Sequence, residues 1–263
     1  MRFVVLVPPG TAAVDVAAGS DPASAKPVAS GLQPGTVSDY VAVPTNDQVM
    51  VEVGGHRVGT ITFPQQGQRQ TVAIGMDATG SFALSEFREK DGRVVGVAGD
   101  MVGTSGVSGG DANAVPAGKA LVIGNGLGNG KIAADSGFTL GQPGKGCLAQ
   151  PGTTADTSGI RSVVGGTVDF YAEPGTLELA WFADTDCANV ASASARASLS
   201  AGQEAYGFTW FTDPTHLRLL LVPVTTAGSG KEGVVDSGDG PPLVQTSQGG
   251  PPTSSADTTE TTG

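Results

Sequence analysis

The chain has 263 residues, 41 of them glycine and 17 proline, with 15% charged side chains and a formal charge of −11. This length suits two domains of roughly 100 residues, each with a modest core of its own. The acidic balance argues against unaided nucleic-acid binding, which needs Lys and Arg to neutralise phosphates, and against docking to anionic lipid. No membrane span is expected either, since the longest apolar runs, Phe3–Val7 and Leu219–Val222, fall far short of the roughly 20 residues required.

The first half is read as residues 1–99 and opens on Arg2 leading a short apolar strand to Val7. That run is too short for a signal-peptide core and Pro8-Pro9 ends it. No export signal is therefore read within the chain, and a mature form or a displaced start codon are the alternatives. Ala13–Ala17 forms a second strand, interrupted by Asp21-Pro22 and Lys26-Pro27. Val37, Asp39 and Val41 alternate with Ser38, Tyr40 and Ala42, a period of two. Val49, Val51 and Val53 share one face, and Gly54-Gly55 turns the chain back into Val58–Phe63 as a hairpin. Gln70–Gly75 and Phe82–Phe87 follow, at the spacing of a sandwich.

Residues 100–116 are rich in Gly and Ser and read as a flexible linker. The second half, residues 117–226, begins with Lys119–Gly124, again a basic residue before an apolar strand. A glycine-rich loop runs from Asn125 to Gly165 around a strand at Phe138–Leu140. Later strands are expected at Thr167–Tyr171, Leu177–Phe182, Ala193–Leu199, Ala205–Phe211 and Leu217–Val224. Residues 227–263 are Gly, Ser, Thr, Pro and Asp with few apolar side chains, and the composition predicts a disordered tail.

One phrase occurs twice. Gly35-Thr36-Val37-Ser38-Asp39-Tyr40 recurs as Gly166-Thr167-Val168-Asp169-Phe170-Tyr171, and each copy leads through a proline and an alternating stretch to a Gly-Gln turn, Gly67-Gln68 and Gly202-Gln203. The expected architecture is therefore all-β: two tandem antiparallel immunoglobulin-like β-sandwiches and a disordered C-terminal tail. Arg2, Val5-Leu6, Pro9, Val14-Asp15-Val16, Gly31-Leu32, Gly35, Tyr40, Val43-Pro44 and Val49–Val53 stand in an order that resembles the bacterial family called domain of unknown function 4397. The likeness covers Met1 to Phe87 well, is weak before Gly165 and improves from Gly166 to Val224. It departs from the family pattern at Val7-Pro8-Pro9 and Ala18-Gly19. The resemblance implies tandem sandwiches in exported or surface proteins and carries no catalytic residues.

Two cysteines, Cys147 and Cys187, both lie in the second half. An even count in a glycine-rich all-β chain points to a disulfide and an oxidising compartment, with two unrelated thiols as the alternative. Ser108 in Gly106-Val107-Ser108-Gly109-Gly110 matches the pattern of a hydrolase nucleophile elbow but lacks the strand before it and the helix after it. Gly124–Lys131 fails the spacing of a phosphate loop. His56 and His216 have no close Cys or His companions for zinc, and Asp184, Asp186, Asp236 and Asp239 supply only part of a calcium ligand set. No catalytic residue, metal or cofactor is assigned. The aromatics of the second half include Trp181-Phe182 and Trp210-Phe211, whose members must face opposite ways on a strand. Trp181 and Trp210 are therefore the candidate ligand-binding residues.

The sequence thus predicts a non-enzymatic protein of the extracellular space or cell envelope, with a binding or structural role and an unidentified protein or glycan partner. A carbohydrate-binding module using Trp181 and Trp210 is the alternative, and a serine hydrolase using Ser108 a remote one.

Overall fold

The computed structural model describes residues 1–44, 47–61, 67–76, 80–99, 115, 117–127, 139–148, 167–182, 187, 193–213, 215–226 and 228–241. These form seventeen strands and no helix. In the first half they are β1 (Arg2–Val5), β2 (Val14–Gly19), β3 (Lys26–Leu32), β4 (Gln48–Val53), β5 (His56–Ile61), β6 (Arg69–Met76), β7 (Phe82–Lys90) and β8 (Arg93–Gly99). In the second half they are β9 (Ala120–Leu127), β10 (Thr139–Gln142), β11 (Gly146–Cys147), β12 (Thr167–Ala172), β13 (Gly175–Phe182), β14 (Ala193–Leu199), β15 (Glu204–Phe211), β16 (Leu217–Pro223) and β17 (Val235–Asp239).

Four sheets result, with orders β3-β2-β4-β5, β1-β6-β7-β8, β12-β9-β15-β16-β17 and β11-β10-β13-β14. The segment carrying the first copy of the repeated phrase runs antiparallel beside β1: Gly35 and Thr36 pair with Val5, Ser38 with Phe3, and Val37 bridges Val4. The second copy is β12, antiparallel beside β9. The repeated words therefore occupy the same place in each half. So do the Gly-Gln turns, since Gly67 and Gly202 precede β6 and β15 and both hold a positive φ, +84° and +77°.

One pairing in each half differs from the antiparallel expectation. β1 runs parallel to β6, and β9 parallel to β15. The chain between the two partners crosses to the other sheet and back, which is long enough for strands to meet in the same direction.

Alternation in β1 explains how the layers assemble. Phe3, Val5 and Val7 join Val14, Val16, Val49, Val51, Ile61, Val72 and Ile74 in a core inside the first half. A second core lies inside the other half, built from Val122, Phe170, Leu179, Leu219, Leu221 and their neighbours. Val4 and Leu6 point the other way. They join Ala73, Phe87, Leu121, Ile123, Tyr206, Phe208, Trp210, Leu220 and Val222 in a third core. The sheet holding β1 and the sheet holding β15 thus stack face to face, and each is covered on both sides. All eight residues of β15 are buried accordingly, as expected of a strand with no solvent face. The aromatic centre is tight: Phe87 lies 4.8 Å from Tyr206 and 5.6 Å from Phe208 between ring centroids.

The chain also differs from the expected tail. Residues 228–241 are ordered, and β17 adds an edge strand to β16. Val234 packs on the third core and Val235 on that of the second half, both partly buried. Residues 242–263 lie outside the described residues, as does the linker except for Val115. The glycine-rich stretch after Lys119 starts later than expected, because β9 continues to Leu127.

Candidate functional site

Arg2 shares its face of β1 with Val4 and Leu6 and is fully buried between the two halves. A guanidinium in that place must satisfy its donors within the protein. Nε donates to Thr71 Oγ1 at 2.7 Å, Nη1 to the Gly230 carbonyl at 2.8 Å and Nη2 to the Pro223 carbonyl at 2.9 Å. Its charge is balanced by Glu89 of β7, 3.5 Å away and 1% exposed. The Glu89 carboxylate also accepts hydroxyl protons from Thr71, Tyr40 and Tyr206. The rings of Tyr40 and Tyr206 lie 5.0 and 5.7 Å from the Arg2 guanidinium carbon.

Burial, followed by the Glu89 charge, pushes the hydroxyl pKa of Tyr40 and of Tyr206 upward. Both phenols therefore stay protonated and act as donors to a carboxylate. The nearby Met1 amine donates to the Val41 carbonyl at 2.7 Å. Burial lowers its pKa to about 6. A second tie runs through Glu204 of β15, also 1% exposed, which accepts from the Val94 amide at 2.7 Å and from Arg93 Nε at 3.1 Å. The ordered tail closes the arrangement. Tyr40 donates its amide to the Ser229 carbonyl at 2.7 Å, and Lys231 pairs with Asp39 at 3.2 Å. Chemically this cluster is a clamp: Glu89 and Glu204 each gather donors from more than one strand.

The sequence marks Arg2 only as the basic residue leading the first strand and as part of the family likeness, and it does not single out Glu89 or Glu204. The available signal was weak. Arg2 alternates with Val4 and Leu6, and Glu89 with Phe87, so each sits on an apolar face. Nothing local says that a second sheet covers that face.

The residues that were singled out fall as follows. Cys147 and Cys187 form a disulfide with a Cα separation of 5.2 Å. It lies on the outer side of the sheet containing β10 and β13, against Ala180 and Gly141. A Cβ at Gly141 would stand 2.9 Å from Cys187 Sγ, so that position accepts only glycine while the bond is in place. Trp210 is 2% exposed, inside the third core, with the Arg218 guanidinium 5.8 Å from its ring. Its ring offers solvent no stacking surface, because the first half covers it. Trp181 sits on β13 opposite Leu140 and Ala193, and its side chain lies outside the described residues. Ser108, Asp184 and Asp186 lie outside them as well.

His56 is exposed at the start of β5. His216 closes a turn in which Asp213 accepts from the Thr215 and His216 amides at 2.7 and 3.0 Å and faces the His216 ring at 2.7 Å. Asp236 holds Arg218 through both oxygens, at 2.8 and 2.7 Å, and Asp239 accepts from Thr212 at 2.9 Å. Those carboxylates are committed to protein donors. Among the described residues no group of three or more His, Cys, Asp or Glu is arranged to hold a metal, and no helix is long and apolar enough to cross a membrane.

No family model matches the chain, and no curated protein matches it.

Proposed function

We propose that this is a non-enzymatic protein of the cell surface, envelope or extracellular space, with a binding or structural role. The observation that carries the reading is the Cys147–Cys187 disulfide, since such bonds persist in oxidising compartments and are rare where glutathione keeps thiols reduced. The stacked halves add support. Buried aromatics and the clamp of Arg2, Glu89 and Glu204 join the two halves. Kinship with the domain of unknown function 4397 family belongs to the same proposal and rests on the order of strands and turns from Met1 to Phe87.

Fractionation of the source cell with an antibody to the protein, combined with thiol alkylation before lysis, tests the reading. The oxidised protein in the envelope or medium is the expected result. A cytosolic protein with both cysteines alkylated would overturn it.

A further inference from the structure

Most edge strands of this molecule are interrupted. β3 against β2, β5 against β4, β8 against β7 and β17 against β16 each carry a register shift. Such irregularities bend an edge away from the straight ladder that another chain could join. β11 is only two residues long. β14 is different. It pairs with β13 through seven consecutive residues, from Leu199 opposite Gly175 to Ala193 opposite Trp181, with no shift, and it contains neither proline nor glycine. Among the described residues no strand pairs with its outer edge. Alternate residues of an antiparallel edge strand turn their N–H and C=O groups outward, so β14 offers a straight row of them. β12 is also a regular edge. What sets β14 apart is the floor beside it: the last strand of its own sheet packs on both of the last two strands facing it, β16 and β17.

We propose that β14 accepts an extended peptide of a partner protein as a further strand of its sheet, and that this peptide carries a carboxylate beside Arg196. Arg196 stands at the middle of β14 with 79% of its side chain exposed, and its contact with Glu178 Oε2 at 3.4 Å is a surface pair that contributes little in water. Like charges directly opposite each other destabilise strand pairing. A second copy in the centred antiparallel register would set Arg196 against Arg196, so the charge favours a different chain with an acid at that place. Ala193, Ala195 and Leu199 face the core, while Arg196 and Ser198 are exposed. The partner's side chains therefore alternate, with polar ones including the acid on the outer face and apolar ones turned toward β17. Backbone bonds supply the affinity and Arg196 the register. Strand addition at β14 deepens the binding role proposed above and takes its biological setting from that reading. It is measured on purified protein, however, so its failure and a cytosolic location are separate results.

The probe is a fluorescein-labelled peptide of alternating Thr and Val with one central Glu and a Lys at each end. One control has Lys in place of the central Glu, and another is N-methylated throughout, which removes the donors a ladder needs. Anisotropy with the full chain gives affinity, and amide hydrogen exchange gives the place. Saturable binding of the Glu peptide is expected, with slowed exchange across Ser194–Ser198, β12 unchanged and no binding of the N-methylated peptide. In Arg196→Glu the Glu peptide should bind about tenfold more weakly, since an attraction is replaced by a repulsion, and the Lys peptide should become the preferred one. That reversal separates recognition from damage to the fold. Absence of saturable binding, equal binding of the N-methylated peptide, protection elsewhere than β14, or an unchanged preference in Arg196→Glu overturns the proposal. Dimerisation of the chain alone with the same amides protected would assign the edge to a second copy and overturn it as well.

Discussion

Tyr206 on β15 donates its hydroxyl to Glu89 on β7 at 2.8 Å, across the plane where the two halves meet. The carboxylate that receives it also balances Arg2 on β1, so three strands from two sheets converge on one buried charge. An apolar core alone would tolerate sliding of one sheet over the other. A buried ion pair with directional donors tolerates it poorly, because a shift leaves charge and hydroxyls unpaired in a low dielectric. The geometry therefore fixes how the halves register, whatever the net contribution of the pair to stability.

Glu89→Ala should accordingly destabilise the fold by about 3–5 kcal/mol, the usual cost of leaving a buried charge without its partner. Replacing the pair together, Arg2→Met with Glu89→Leu, should cost clearly less than Glu89→Ala alone, because no charge is stranded. Urea unfolding of the three proteins decides this. A Glu89→Ala variant within about 1 kcal/mol of the parent would show that the clamp is solvated and weak.

Trp210→Ala should remove stability and not sugar binding. The ring is 2% exposed in the shared core, and truncating a large buried aromatic costs about 3–5 kcal/mol through lost transfer energy and the cavity left behind. A variant that kept its unfolding midpoint while losing affinity on a glycan array would return Trp210 to the ligand-binding role.

The same tryptophan shows where reading from sequence reaches its limit. Period-two alternation placed the Val49, Val51 and Val53 face inward correctly, since all three join the core of the first half, while Met50 on the other side is buried with Arg57 on its sulfur. The repeated phrase likewise marked equivalent positions, beside β1 and in β12. Alternation has no meaning for β15, where both faces are covered, and Trp210 and Phe211 looked like one inside and one outside. β3 escaped notice because Pro27 reads as an interruption; the strand pairs only with β2, and an edge tolerates a proline. β17 escaped because Val235-Asp236-Ser237-Gly238-Asp239 has the composition of a tail, and only β16 beside it supplies the pairing. Arg2 and Glu89 depend on that same long-range stacking, which no local pattern encodes.

Cys147→Ser should lower stability by about 4 kcal/mol in the chain-entropy account, given a separation of 40 residues between the bonded cysteines. The bond ties β11 to Cys187, which packs on Ala180 of β13 and not on the shared core. The loss should therefore show first as faster amide exchange in β10 and β13, with β6 and β15 still protected. Uniform loss of protection across both halves would mean that the disulfide supports the whole block. Intact mass before and after reduction should differ by the two hydrogens of one bond.

Glu232 provides a pH-dependent test of the ordered tail. Its carboxylate accepts from the Ser229 and Gly230 amides, both at 3.0 Å, and holds the turn whose Gly230 carbonyl meets Arg2. These bonds, that of Ser229 foremost, lower its pKa from 4.5 to about 2. A carboxylate with a depressed folded pKa contributes stability above its unfolded pKa and loses it as pH falls through the folded value. The parent should therefore exceed Glu232→Gln in thermal midpoint by its full margin above pH 4.5, and the margin should close as pH falls to about 2. Using the difference between the two proteins cancels the other acid titrations, Asp213 among them. A margin that stayed constant across this window would show that the Glu232 carboxylate does not hold the Ser229–Gly230 turn.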